Sequence, residues 1–179
     1  GLRTRVIKTE EERNKYFDIR RDSFKLLSDH SKGTKTAPFI DDIAIAPEKL
    51  PQYLPELTKI LDREKLLYTI AGHLGNGNLH IIPLMNFDDP KTREIIIRIS
   101  PEVYSIVKKY GGTMTAEHND GIIRTPFLSL MFGEKINGVF KEIKEIFDPK
   151  NIFNPGKKVG FTTEDIEKYI ISPKIQKTK

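Results

Sequence analysis

Two hydrophobic periods alternate along this chain, and the switches between them mark out helices and strands. Leu2 to Lys8 alternates apolar and polar residues as a strand does. Glu10 to Leu27 places apolar residues at positions 16, 17, 19, 24, 26 and 27, the spacing of an amphipathic helix, with Thr9 as its cap. After a small, basic loop from Gly33 to Ala37, Phe39 to Ile45 reads as a strand. Pro47, in first-turn position, opens a helix to about Glu64, with Pro51 and Pro55 making its first turns the weakest part. Leu66 to Ala71 and Leu79 to Met85 form the arms of a hairpin.

A long helix is predicted from Asp88 or Asp89, ahead of Pro90, to Tyr110. Lys108 and Lys109 stand at its negative end, Gly111 stops it, and Pro101 is expected to kink or split it. Further helices are read from Gly133 to Ile146 and, capped by Thr162 or Thr163, through Ile171, with an ordered turn region from Asn151 to Gly160 between them. Strands joined by a hairpin or a single helix suit one α+β domain over residues 1–171, with helices packed on one face of a mainly antiparallel sheet. Ser172 to Lys179 is expected to fray.

The segment between the hairpin arms carries the chemistry. In Gly72-His73-Leu74-Gly75-Asn76-Gly77-Asn78-Leu79-His80, two histidines flank a turn in which Gly75, Asn76 and Gly77 tolerate positive φ. On one straight strand, positions seven apart face opposite ways; across a reversal both imidazoles can face one ion. Glu117-His118 follows after a helix-length gap. His73, His80 and Glu117 make a nitrogen and oxygen set that suits zinc, manganese or ferrous iron and leaves a coordination position open, with His118 within reach as general base. The plain alternative for two such histidines is a pair of half-buried aromatic residues on a strand and a loop. The chain has four histidines and three fall here; His30, in a polar run, reads as a solvated loop residue.

These residues also carry a resemblance. The Gly72 to His80 run, then Gly111-Gly112-Thr113-Met114-Thr115-Ala116-Glu117-His118-Asn119-Asp120-Gly121, then Phe147-Asp148-Pro149-Lys150-Asn151-Ile152-Phe153-Asn154-Pro155-Gly156-Lys157 resemble, in order and spacing, three signatures of the C-terminal domain of FAD-linked oxidases. This is the glycolate oxidase, D-lactate dehydrogenase and D-2-hydroxyglutarate dehydrogenase group of the vanillyl-alcohol oxidase superfamily. The Arg124-Thr125-Pro126-Phe127-Leu128 and Phe132-Gly133 segments resemble a branch that includes large fused flavin and iron-sulfur oxidases.

The resemblance implies that His73, His80 and Glu117 bind a divalent metal holding a 2-hydroxy acid. It further implies that His118 removes the hydroxyl proton while hydride passes to FAD, that Arg20 pairs with the substrate carboxylate, and that Asn78 lies near the flavin. For Arg20 the alternative is a solvated helix arginine. The expected activity is oxidation of a D-lactate or glycolate type substrate to a 2-oxo acid; a metal-dependent hydrolase and a non-catalytic regulatory domain are the other classes considered. Asn76 stands where the family usually has Asp and Asn119 where it has Gly, and both residues tolerate a left-handed turn position. Ile40 stands where some relatives place a lysine for a second carboxylate, so that contact is not expected here.

Composition bounds the rest. The 179 residues include 30 basic and 25 acidic ones, a net charge of +5 spread along the chain without an aromatic-interleaved basic stripe, so no nucleic-acid partner is expected. Without cysteine there are no thiolate ligands and no iron-sulfur cluster in this chain. No apolar run approaches 18 residues and no signal pattern stands at the start, giving no transmembrane segment and a cytoplasmic expectation, with peripheral membrane attachment left to a missing part. No glycine-rich segment could hold FAD, so FAD is expected on an N-terminal FAD-binding domain absent from this chain, whose partner it would be, alongside an electron-transfer partner beyond the flavin. The start at Gly1-Leu2-Arg3 reads as that of an excised C-terminal portion, inactive by itself.

Overall fold

The structure is a computed structural model that describes residues 5–30 and 33–170. The first helix, α1, spans Glu10–His30, and the Thr9 hydroxyl accepts from the Glu12 N–H at 3.2 Å, the cap its position predicts. Its expected apolar face is bare over the described side chains, with Tyr16, Phe17 and Ile19 all exposed; positions 24, 26 and 27 lie outside them. His30, expected in a loop, is instead the last residue of α1, and its side chain too lies outside the description. Of the strand expected over Leu2 to Lys8, residues 5–8 carry no regular structure and the rest falls outside the described residues, as does the frayed tail expected from Ser172.

Two short strands follow, β1 (Lys35–Thr36) and β2 (Ile43–Ala44); the strand expected over Phe39 to Ile45 is cut to its last part because Phe39 and Ile40 turn inward instead of pairing. Pro47 opens a 3-10 turn, Pro47–Lys49, that leads into α2 (Leu50–Arg63). The hairpin is β3 (Leu67–Ala71) with β4 (Asn78–Met85), antiparallel with Ala71 opposite His80. β4 is the central strand: β3 pairs along one edge, and β1 and β2 pair antiparallel at opposite ends of the other. The next helix, α3, runs unbroken over Lys91–Lys109 through Pro101, so the expected split does not occur. Two short helices missing from the sequence reading, α4 (Gly121–Arg124) and α5 (Leu128–Phe132), precede α6 (Glu134–Phe147). The last, α7 (Thr163–Tyr169), starts at a Thr162 capping box closed by Asp165.

The expected α+β class is the class found. Tyr53, Leu57 and Leu61 of α2 and Ile99, Val103 and Tyr104 of α3 pack with Ile43, Leu79 and Ile81 of the sheet in one core. Ile82 and Leu84 are buried outside that cluster. Alternation along β4 therefore turns His80, which shares their parity, away from the α2 and α3 side. Across the outer surface of these two helices Arg63 forks onto Glu102 at 2.7 and 2.9 Å, and Arg98 onto Glu64 at 2.7 Å twice. Arg98 foremost, then Arg63, holds the Glu64 carboxyl down to about 2.

The hairpin turn is tighter than two glycines alone suggest. Leu74–Asn76 form a 3-10 turn, closed by Gly77 at φ +70°, whereas Gly75 and Asn76 keep ordinary φ. Gly77 is fixed by space as well as by angle: a Cβ there would stand 1.7 Å from the Ile45 carbonyl oxygen, and the Ile45 N–H donates back to the Gly77 carbonyl at 2.9 Å. Gly77→Ala is expected to lower stability by at least about 2 kcal/mol in urea unfolding, while Gly75→Ala, with open space around it, changes it by less than about 0.5 kcal/mol.

Candidate metal and substrate site

The turn sets His73 at one end of the reversal and His80 two residues into β4, with ring centroids 6.0 Å apart. The second half of the site is the loop after α3. Thr113 and Ala44 exchange backbone hydrogen bonds at 2.9 and 3.0 Å, and the Ala116 N–H donates to the Asp42 carbonyl at 3.0 Å, so the loop runs along the β2 segment before presenting Glu117 and His118. Gly112 permits that approach, since a Cβ would come within 2.4 Å of the Ala44 carbonyl oxygen. Asn119 takes φ +63°, the left-handed turn geometry its place after His118 was expected to tolerate.

All four predicted side chains converge on one atom. Glu117 Oε1 lies 3.1 Å from His80 Nε2, 3.5 Å from His73 Nδ1 and 3.8 Å from His118 Nε2. A carboxylate oxygen ringed by three imidazole nitrogens has the donor chemistry of a divalent-metal centre. Among the described residues, one ligand atom each from Asp42, His80, Glu117 and His118 lie within 4.8 Å of one another; His73 is outside this group but 3.5 Å from Glu117 Oε1. His80 is 17% exposed and His118 59%, so the cluster has a held side and an open side.

Asp42 is the residue that sequence reasoning missed. It is fully buried at φ +64°, and its carboxylate accepts from the backbone N–H groups of Ala116, Glu117 and His118 at 2.8 to 3.1 Å and from Asn78 Nδ2 at 3.1 Å. Burial pushes its carboxyl up, but the hydrogen bonds from His118, Glu117, Ala116 and Asn78 outweigh that and hold it below the ordinary aspartate range. Its oxygens are thus already committed to the protein. Asp41 was missed too: its Oδ1 stands 3.1 Å from His80 Nδ1, on the side of the ring away from Glu117. Arg124 donates to the carbonyls of both Asp41 and Asn119, tying the two halves together. The only sequence signal for these roles was an Asp pair opening an extended segment.

Arg20 and Asn78 part company. Arg20, on α1, shares with Phe17, Arg21, Gly72 and His80 a hollow of about 490 Å³, which puts Arg20 at the same opening as one of the site's histidines. Asn78 is buried; besides bonding Asp42, its Oδ1 lies 3.4 Å from His73 Nδ1, so its side chain reaches inward to the site's supports. In the third motif Asp148 accepts from the N–H groups of Ile152 and Phe153 at 2.9 Å and from Lys144, which folds the following turns. Lys158 then bonds Asp120 behind the Glu117-His118 loop.

An α+β sheet domain presenting two hairpin histidines beside a Glu-His loop defines a class, and sequence comparison names it. The chain belongs to the FAD-linked oxidases, matching that family's C-terminal domain over residues 1–158. It is 33% identical over 141 residues to D-2-hydroxyglutarate dehydrogenase of Escherichia coli, across 79% of this chain and 14% of that protein. It is 25% identical over 157 residues to glycolate oxidase subunit GlcD of Bacillus subtilis, and 27% over 161 residues to a probable mitochondrial D-lactate dehydrogenase of Danio rerio. These alignments span 88% of this chain and 33% and 31% of those proteins. The chain thus spans a third or less of the length of these relatives.

The lowered Asp42 carboxyl has a consequence for stability. A folded value below the unfolded one contributes stability that is complete above about pH 4 and is lost as pH falls through the lowered value. Urea midpoints between pH 7 and pH 2.5 are expected to fall more steeply for the wild type than for Asp42→Asn; equal slopes would remove Asp42 from the account.

Proposed function

We propose that this chain is the metal- and substrate-holding portion of a FAD-dependent 2-hydroxy-acid dehydrogenase or oxidase of D-lactate or glycolate type. His73, His80 and Glu117 hold a divalent zinc, manganese or iron ion, His118 is the base, and Arg20 is the partner of the substrate carboxylate. The observation that carries this reading is the convergence of three imidazoles on the single oxygen Glu117 Oε1. Family membership and the names of the relatives support the reaction class.

When bound, the ion supplies Lewis acidity that eases loss of the substrate's hydroxyl proton, and the flavin supplies the acceptor for the hydride leaving the α-carbon. The chain's own residues do the rest. His118, more exposed than His80 and adjacent to the ligand Glu117, takes the hydroxyl proton on its ring nitrogen. Arg20 offers a planar fork of donors to the carboxylate from across the hollow. Loss of one proton and one hydride converts the hydroxy acid into its 2-oxo acid.

FAD is carried by a separate FAD-binding domain, so this chain alone binds the ion without turning substrate over, and electrons leave the flavin for a further partner. An uncovered apolar strip supports a covering neighbour: α6 buries none of its residues, and Ile146, Phe147, Ile152 and Phe153 are 64 to 82% exposed.

Two measurements test this. Calorimetric titration of the chain with Zn²⁺ or Mn²⁺ is expected to give one site that His80→Ala abolishes. In the enzyme assembled with its flavin-binding domain, His118→Ala is expected to keep the ion but slow substrate-dependent flavin bleaching at least about 100-fold, with Arg20→Lys acting mainly on KM. Should His118→Ala lose the ion while His73→Ala keeps it, the two histidines exchange roles, as the tighter grouping with His118 would then require.

A further inference from the structure

We propose that Asp41 and Asp42 are positioning residues of this site, Asp42 setting Glu117 and His118 through their backbone and Asp41 setting the ring of His80. The inference rests on the metal reading above for its purpose, though not for its geometry.

Glu117 and His118 sit on a loop without regular secondary structure, outside helix and strand, so their backbone N–H groups need acceptors from elsewhere. One carboxylate provides them. The His118 N–H reaches Asp42 Oδ2 at 2.8 Å, that of Ala116 the same oxygen at 3.0 Å, and that of Glu117 both oxygens at 3.1 Å. Three successive amides aimed at one buried anion fix the peptide planes and with them the exit directions of the Glu117 and His118 side chains. A fourth donor, Asn78 Nδ2, belongs to the first residue of the strand that carries His80. Asp42 therefore bonds to both halves of the site and lends neither oxygen freely to an ion.

Asp41 works from the other side. Asp41 Oδ1 lies 3.1 Å from His80 Nδ1 while Nε2 of the same ring lies 3.1 Å from Glu117 Oε1, so contacts at both nitrogens fix the plane of the imidazole and aim Nε2 at the site. Asp42 takes a left-handed φ of +64°, so the backbone turns at this pair, and one aspartate reaches the imidazole while its neighbour reaches the loop amides.

The test uses the full chain and Co²⁺ as a spectroscopic probe. Asp42→Asn turns donors against donors, and Asp41→Ala frees the His80 ring. Each variant is expected to bind Co²⁺ about 10- to 100-fold more weakly than wild type, with a shifted visible absorption band, while circular dichroism stays native. Wild-type affinity together with an unchanged band in either variant overturns the role of that residue. If Asp42→Asn does not fold, amide hydrogen exchange on the wild-type chain decides: slow exchange at Ala116, Glu117 and His118 supports the clamp, and exchange at the rate of an open loop overturns it. A wild-type chain that takes up no Co²⁺ overturns the metal reading instead, and the same amide exchange then judges the clamp by itself.

Discussion

A single buried carboxylate joins the segment that carries His80 to the loop that carries Glu117 and His118. Removing an ionised aspartate from water is costly unless its lone pairs are filled, and Asp42 has them filled by three backbone amides and a side-chain amide. The dependence is mutual. Those amides lie on a loop outside helix and strand, and a buried N–H left without an acceptor costs about 1–3 kcal/mol. The left-handed backbone at Asp42 adds a local strain that such a set of partners can hold.

Around this anchor the short segment 41–46 works as a two-sided template. Ile45 takes the hairpin turn through Gly77, and Ala44 takes the second loop through Thr113. Both approaches are so close that only glycine fits, at Gly77 and Gly112 respectively. The strand itself needs only two paired residues, because its backbone groups are spent on the loops that carry function instead of on a longer ladder. The hydrophobic core beneath, from α2 and α3, gives the segment something rigid to rest on.

The outer surface shows a different economy. α1 and α6 both have helical spacing of apolar residues, yet α6 buries none and the described apolar residues of α1 are exposed. An amphipathic pattern specifies that a face seeks burial; it does not say against what.

The sequence by itself determined most of the longer helices, the hairpin, and which histidines and glutamate would meet. Period and caps were enough for α2, α3, α6, α7 and the hairpin, because each of these is settled by short-range spacing, proline placement or a capping hydroxyl. The histidines and Glu117 were legible because imidazole and carboxylate chemistry is rare and recognisable, and the turn between His73 and His80 is written in glycine. Tertiary structure alone decided that a strand would stop at two residues, that Pro101 would sit inside a continuous helix, and that the Asp42 carboxylate would take the amides of the Glu117-His118 loop. Those outcomes depend on which backbone groups meet across 75 or so residues of chain, a long-range pairing that leaves no periodic trace in the amino acids themselves.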